Sequence, residues 1–166
     1  MKLAKIIATP FLGISLLAAL SSCGMVPVKV EFDQKTFNEQ RALWQDTKPQ
    51  DYEYKLIASG FMGYSGTISV VNGKFEKDEP NMEWHSIYYF SDYTTIDKIY
   101  QEIEETFLRY NDTRQFRGDV YYTGIVVEYD KTNHIPTKIV YKYYCPPNVS
   151  VDGTFHYEIE NFVKTE

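Results

Sequence analysis

From residue 36 onward the apolar positions switch between the 3.6-residue period of a helix and the two-residue period of a strand, and these switches outline the elements. Phe37, Gln40, Arg41 and Trp44 share one helical stripe with Leu43 beside it, and Thr36 and Glu39 have capping-box spacing. This predicts a helix over residues 35–46, ended by Lys48-Pro49 because a residue before proline is pushed out of the α region. Tyr52, Tyr54 and Leu56 then alternate with Glu53, Lys55 and Ile57, the pattern of a half-buried strand. Gly60, Gly63 and Gly66 mark a loop. Thr67 to Val71 and Lys74 to Lys77 flank Asn72-Gly73, a pair that supplies the two positive φ angles of a type I′ hairpin turn. Pro80-Asn81 interrupts that hairpin, and Trp84 to Phe90 reads as a further aromatic strand.

Residues 94–110 give the clearest helix. Ile96, Ile99, Tyr100, Ile103, Phe107 and Tyr110 recur at three- and four-residue steps, with Thr94 and Asp97 at the start and Arg109 near the end. Glu102, Glu104 and Glu105 fall off that stripe and are expected on a solvated face. Three strands follow: Asp119 to Tyr129, with Tyr121, Thr123, Ile125, Val127 and Tyr129 on one side; a second with Thr137, Ile139, Tyr141, Tyr143 and Cys145 sharing a face; and a last with Phe155, Tyr157, Ile159 and Val163 sharing a face. Their connections are too short for crossover helices, so the strands should pair antiparallel as a meander. The expected fold class is α+β, with two helices on one face of an antiparallel, meander-like sheet of about six strands. The other face should be polar and bear tyrosines.

Ahead of these elements, Lys2 and Lys5 precede an apolar run from Ile6 to Leu20, closed by Leu20-Ser21-Ser22-Cys23. That order reads as a bacterial lipoprotein signal, with Cys23 becoming the lipid-bearing first residue. The run carries Pro10 and Gly13 and falls short of the roughly 20 apolar residues of a bilayer span. A diacylated thiol with an acylated amine anchors the chain instead. Gly24, not Asp, follows the cysteine, which favours the outer membrane facing the periplasm if the cell is a diderm. The chain thus divides into a signal at 1–22, a lipidated cysteine with a short tether at 23–35, and one domain at 36–166. The signal contains two basic residues and no acidic one, so the mature chain is more acidic than the whole chain's net charge of −6. Such a surface repels polyanions and excludes nucleic acid as a partner. Cys145, the second of 2 cysteines, has no internal partner once Cys23 is lipidated, and reads as a small hydrophobe at a strand end.

Trp44 ahead of Tyr52-Glu53-Tyr54, Ser69-Val70-Val71-Asn72-Gly73-Lys74, Thr95-Ile96-Asp97-Lys98-Ile99-Tyr100, and Val127-Glu128-Tyr129-Asp130 running to Ile135-Pro136-Thr137-Lys138-Ile139 come in a distinctive order. Over residues 40–163 the chain resembles the bacterial domain-of-unknown-function family numbered 6174, whose members are small secreted proteins and lipoproteins. Two departures stand out. Many members carry cysteines after the Tyr segment, where this chain has Ala58-Ser59-Gly60-Phe61-Met62, so a disulfide by analogy is excluded; and His134 stands near the glycine position ahead of Pro136. The resemblance implies the fold and the address and carries over no catalytic residue.

No chemical motif emerges from the rest. Gly63-Tyr64-Ser65-Gly66 lacks the spacing and the strand-to-helix setting of a nucleophile elbow. His85, His134 and His156 lack metal-site spacing, and His156, Glu158 and Glu160 read as one polar strand face. The expectation is a non-enzymatic module without cofactor or metal, tethered to the membrane by its lipid and binding or scaffolding an envelope protein, peptide or glycan. Adjacent strand residues point to opposite faces, so the doublets Tyr121-Tyr122 and Tyr143-Tyr144 place Tyr122 and Tyr144 outward as a possible aromatic platform. Two alternatives remain open. One is an inhibitor of a secreted hydrolase presenting a loop at Gly60–Gly66; the other is an envelope hydrolase in which two of Asp119, Glu128 and Glu158 meet in a cleft.

Overall fold

The Asp33 side chain, one residue ahead of the first helix, sets where that helix begins. Its Oδ1 accepts from the Thr36 N–H at 3.0 Å and its Oδ2 accepts from the Thr36 hydroxyl at 2.7 Å. The cap is therefore Asp33 and not the Thr36 box, and α1 runs Gln34–Thr47. These details come from a computed structural model that describes residues 24–59, 63–76, 91–116, 118–149 and 155–165. The second helix, α2, spans Ile96–Tyr110, and its cap is Thr95, whose hydroxyl oxygen accepts from the Lys98 N–H at 3.2 Å. Thr94, at which the sequence placed the start of this helix, is buried one residue earlier.

The strands are β1 (Met25–Pro27), β2 (Glu31–Phe32), β3 (Tyr52–Ser59), β4 (Tyr64–Val71), β5 (Lys74–Glu76), β6 (Arg114–Phe116), β7 (Tyr121–Asp130), β8 (Ile135–Tyr144) and β9 (His156–Lys164). Seven of them form one sheet in the order β2-β7-β8-β9-β3-β4-β5, and β1 pairs with β6 separately. The α+β class holds, with both runs β3-β4-β5 and β7-β8-β9 antiparallel as a meander requires. What joins the two runs is β9 beside β3, a pairing between distant parts of the chain. The Asn72-Gly73 turn forms as expected, with φ of 51° and 70°. The strand anticipated at Trp84–Phe90 lies outside the described residues.

Two expectations about the segments between elements are corrected. Gly66 lies inside β4, paired with Leu56, so the stretch is not a glycine loop through residue 66. The stretch read as a tether is docked from Met25 onward. Val28 and Val30 are buried, Val28 exchanges backbone hydrogen bonds with Asp112 and Thr113 at 2.8 and 2.9 Å, and β2 pairs parallel with β7. A Cβ at Gly124 would lie 3.4 Å from the Glu31 carbonyl oxygen, an ordinary van der Waals contact, so β2 lies directly against this part of β7 without depending on the glycine.

Both helices cover the same face of the sheet. Arg41 Nη1 meets Glu104 Oε2 at 2.8 Å and Lys48 Nζ meets Asp97 Oδ1 at 2.9 Å, bridging α1 to α2. Beneath them lie Phe37, Trp44, Ile96, Ile99, Tyr100 and Ile103 against Tyr52, Tyr54, Leu56, Ile125 and Ile139, all buried. Burial of each such side chain contributes roughly 1.5–3 kcal/mol. Tyr52, Tyr54 and Tyr100 in this core are satisfied polar groups. Tyr52 Oη accepts the first N–H of α2, at Ile96, at 3.1 Å, while Tyr54 and Tyr100 donate to the Tyr93 and His134 carbonyls at 2.5 and 2.8 Å. Burial pushes the Tyr52 phenol up to about 12, so it stays protonated.

One-residue irregularities reset which side chains face the helices. In β7 the register with β8 shifts between Tyr122 and Gly124, which leaves Thr123 unpaired. In β9 it shifts opposite Glu53 and Lys55, where Asn161 takes a φ of 53°. An extra residue on one strand inverts the side-chain alternation beyond it. Hence Phe162 packs on Trp44 and Tyr52, and Val163, expected in the core, is 55% exposed.

Candidate functional site

The bulge in β7 decides the fate of the tyrosine doublets. Tyr121 pairs with Tyr144 and the two rings stack at 5.0 Å at the sheet end, where Tyr144 is 40% exposed. Tyr122 pairs with Tyr143 and turns to the helix side, its ring 4.6 Å from Tyr110 and 5.7 Å from Tyr141. The outward placement of Tyr122 is therefore corrected: Tyr122 and Tyr144 lie on opposite faces, because unbroken alternation does not survive the extra residue at Thr123. An isolated glycine within a strand, here Gly124, was the sequence signal for that bulge.

Inward rotation of Tyr122 builds a cleft at one end of the sheet. Three neighbouring strands supply Tyr122, Tyr141 and Tyr157 as its floor, α2 supplies Glu102 and Thr106, and the short 3-10 turn Ser91–Tyr93 supplies Asp92 and Tyr93. With Phe155 these residues enclose a cavity of about 240 Å³. Tyr93 stacks on Tyr157 at 3.9 Å, Tyr141 stands edge-on to Tyr157 at 6.2 Å, and the Tyr93 and Tyr141 hydroxyls lie 3.2 Å apart. A second pocket of about 130 Å³ adjoins it through Tyr122 and Phe155, walled by Tyr110, Val120, Tyr121 and Tyr143. The first is acidic and hydroxyl-rich; the second is largely hydrocarbon and ring.

Glu102 is the electrostatic centre of the cleft, and the expectation of a solvated face is corrected for it. Burial raises its carboxyl above the ordinary value, with Asp92 and Glu105 adding to the rise, while the Thr106 hydroxyl, donating to Oε1 at 2.9 Å, and Arg109 oppose it. Its contribution to stability runs opposite to that of an ion-paired carboxylate. The fold gains below the unfolded carboxyl pKa and loses that gain as pH rises through the raised folded value. Burial likewise raises the phenols of Tyr93, Tyr122, Tyr141 and Tyr157, and the Glu102 charge adds to each. All four rings are neutral at physiological pH. Glu104 and Glu105 do lie off the cleft, at Arg41 and Gln101. Thr106, a buried polar residue beside the apolar stripe of α2, was the available hint to this site.

The remaining sequence candidates lie apart from these two cavities. Glu158 pairs with Lys138 at 2.7 Å on the outer face, Glu128 sits opposite the same lysine in register, and Asp119 accepts from the Phe116 N–H in the β6–β7 turn at 3.2 Å. Neither cavity includes any of the three. His156 and Glu160 share that outer face, Glu160 pairing with Lys55 at 3.4 Å. Cys145 follows β8 half-exposed, its thiol 2.6 Å from the Val149 carbonyl. Cys23 lies outside the described residues. Among the described residues no cluster of three or more metal-ligating side chains occurs.

In comparisons with family models, with curated proteins and with solved structures, nothing matches this chain.

Proposed function

We propose that this protein is a lipid-anchored, non-enzymatic binding module of the bacterial cell envelope, with the tyrosine-lined cleft as its binding site. The observation that carries the reading is the convergence of Tyr93, Tyr122, Tyr141 and Tyr157 on one open cavity around Glu102. A concave site with aromatic walls and a few converging polar groups is the usual form of a ligand pocket. Neutral phenols and a hydroxyl bind and orient. They do not supply a nucleophile activated by a base. The anchor is read from Leu20-Ser21-Ser22-Cys23, and β1 begins two residues after that cysteine, at Met25. Met25 and Phe116 face each other across β1 and β6, 41% and 53% exposed, which favours this ribbon as the part nearest the bilayer. A hydrolytic role is the second reading, favoured by the raised Glu102 carboxyl with Asp92 at the same cavity, an acid and a carboxylate of different environments.

A photocrosslinking residue at Val120, an exposed wall of the apolar pocket, tests the binding reading in intact cells. The same probe at Leu108, exposed on α2, serves as reference. Adducts concentrated at position 120 are expected. Equal adducts at both positions would contradict the cleft as the binding site.

A further inference from the structure

The geometry points to a small organic ammonium ion carrying an apolar group as the cleft's ligand, an inference that rests on the binding reading above and specifies its chemistry. Three features of the cavity select this class. The first is a carboxylate held among rings: Glu102 lines the same cavity as Tyr93, Tyr122, Tyr141 and Tyr157. An ammonium there gains both the carboxylate and the negative faces of the rings, and the gain is larger where water is partly excluded. The second is sign. With Asp92 at the same cavity, the charged groups lining it among the described residues are acidic, and Arg109, the cation that acts on Glu102, has a smaller effect than burial. A cationic ligand would offset the desolvation that burial imposes on Glu102, whereas an anion would add to it.

The third is the neighbouring pocket. Tyr122 and Phe155 are common to both cavities, so a ligand whose head sits by Glu102 has an adjacent apolar space bounded by Tyr110, Val120 and Tyr143 for its other end. Metal ions are poorly served here, since neutral phenols are weak ligands and hard cations prefer several carboxylates. The bulge at Thr123 is what makes the site possible, because it carries Tyr122 from the outer face into the wall shared by both pockets.

The test uses the full-length chain in uncharged nanodiscs, with ring-labelled tyrosine followed by NMR. Phenethylammonium is the probe, and phenethyl alcohol is its neutral counterpart. Phenethylammonium should shift the Tyr93, Tyr122, Tyr141 and Tyr157 ring signals and bind about tenfold or more tightly than the alcohol, as charge-assisted contacts outweigh neutral ones. Glu102→Gln keeps the side-chain volume and an oxygen for the Thr106 hydroxyl, and should remove that preference while leaving the alcohol unchanged. Equal binding of amine and alcohol would overturn the ammonium assignment while leaving the cleft a binding site. Absence of any tyrosine shift would also overturn the assignment, and the Val120 crosslink then decides separately whether the cleft binds something else.

Discussion

Replacing Cys23 by serine should move the protein almost entirely from the salt-washed membrane fraction to the soluble fraction. The size of the effect follows from the number of acyl chains. Each buried methylene is worth about 0.8 kcal/mol, one chain gives marginal and reversible binding, and two or three make release negligible. No helix among the described residues is long and apolar enough to cross a membrane. Met25, two residues after the proposed anchor in sequence, and Phe116 are exposed, yet two partly inserted side chains at roughly 1.5–3 kcal/mol each would not survive a wash. Fractionation with mass analysis of the N-terminal peptide checks this. Retention of the serine variant, with no lipid mass on the native N-terminus, would remove the anchor from the account.

Trp44→Ala should lower the unfolding free energy by about 3–5 kcal/mol, the range for deleting a buried large aromatic side chain. Trp44 is 1% exposed and stands edge-on to Tyr52 at 5.6 Å and to Phe162 at 6.1 Å. Its removal therefore opens a void where α1, β3 and β9 meet. That junction ties the hairpin half of the sheet to the C-terminal meander, so the loss should appear as one cooperative shift and not as local fraying. Leu43→Ala, one position away on the exposed side of α1, should change stability by no more than about 0.5 kcal/mol. Denaturant unfolding of both variants measures the contrast. Equal effects would mean that α1 does not pack as described.

The contrast between Trp44 and Leu43 also shows what kind of information the sequence carries. Periodicity placed both helices to within two residues, because Phe37 and Trp44 on α1 and Ile96 through Phe107 on α2 repeat at helical spacing whatever surrounds them. Asn72-Gly73 fixed its hairpin through local φ angles alone. Features that depend on distant partners were not legible. Val28 and Val30 read as linker because their hydrogen-bond partners, Asp112, Thr113 and the Asn111 side chain, which accepts from the Val30 N–H at 3.1 Å, lie far along the chain. The joining of β9 to β3 likewise leaves no local mark.

For the site, the tyrosines were conspicuous but their faces were not. Alternation assigns every second residue to one face, and a single unpaired residue at Thr123 or a left-handed one at Asn161 reverses the assignment beyond it. Tyr122 consequently moved from the supposed platform into the cleft. Glu102 was concealed beside two acidic neighbours on α2, and only the position of Thr106 separates it from Glu104 and Glu105.

The inward turn of Tyr122 supports everything proposed for the cleft, and ring-to-ring nuclear Overhauser effects with assigned tyrosines test it directly. Effects from Tyr122 to Tyr110 and from Tyr121 to Tyr144 are expected, matching centroid separations of 4.6 and 5.0 Å. A Tyr122 to Tyr144 effect, without one to Tyr110, would place both rings on the outer face and dissolve the site.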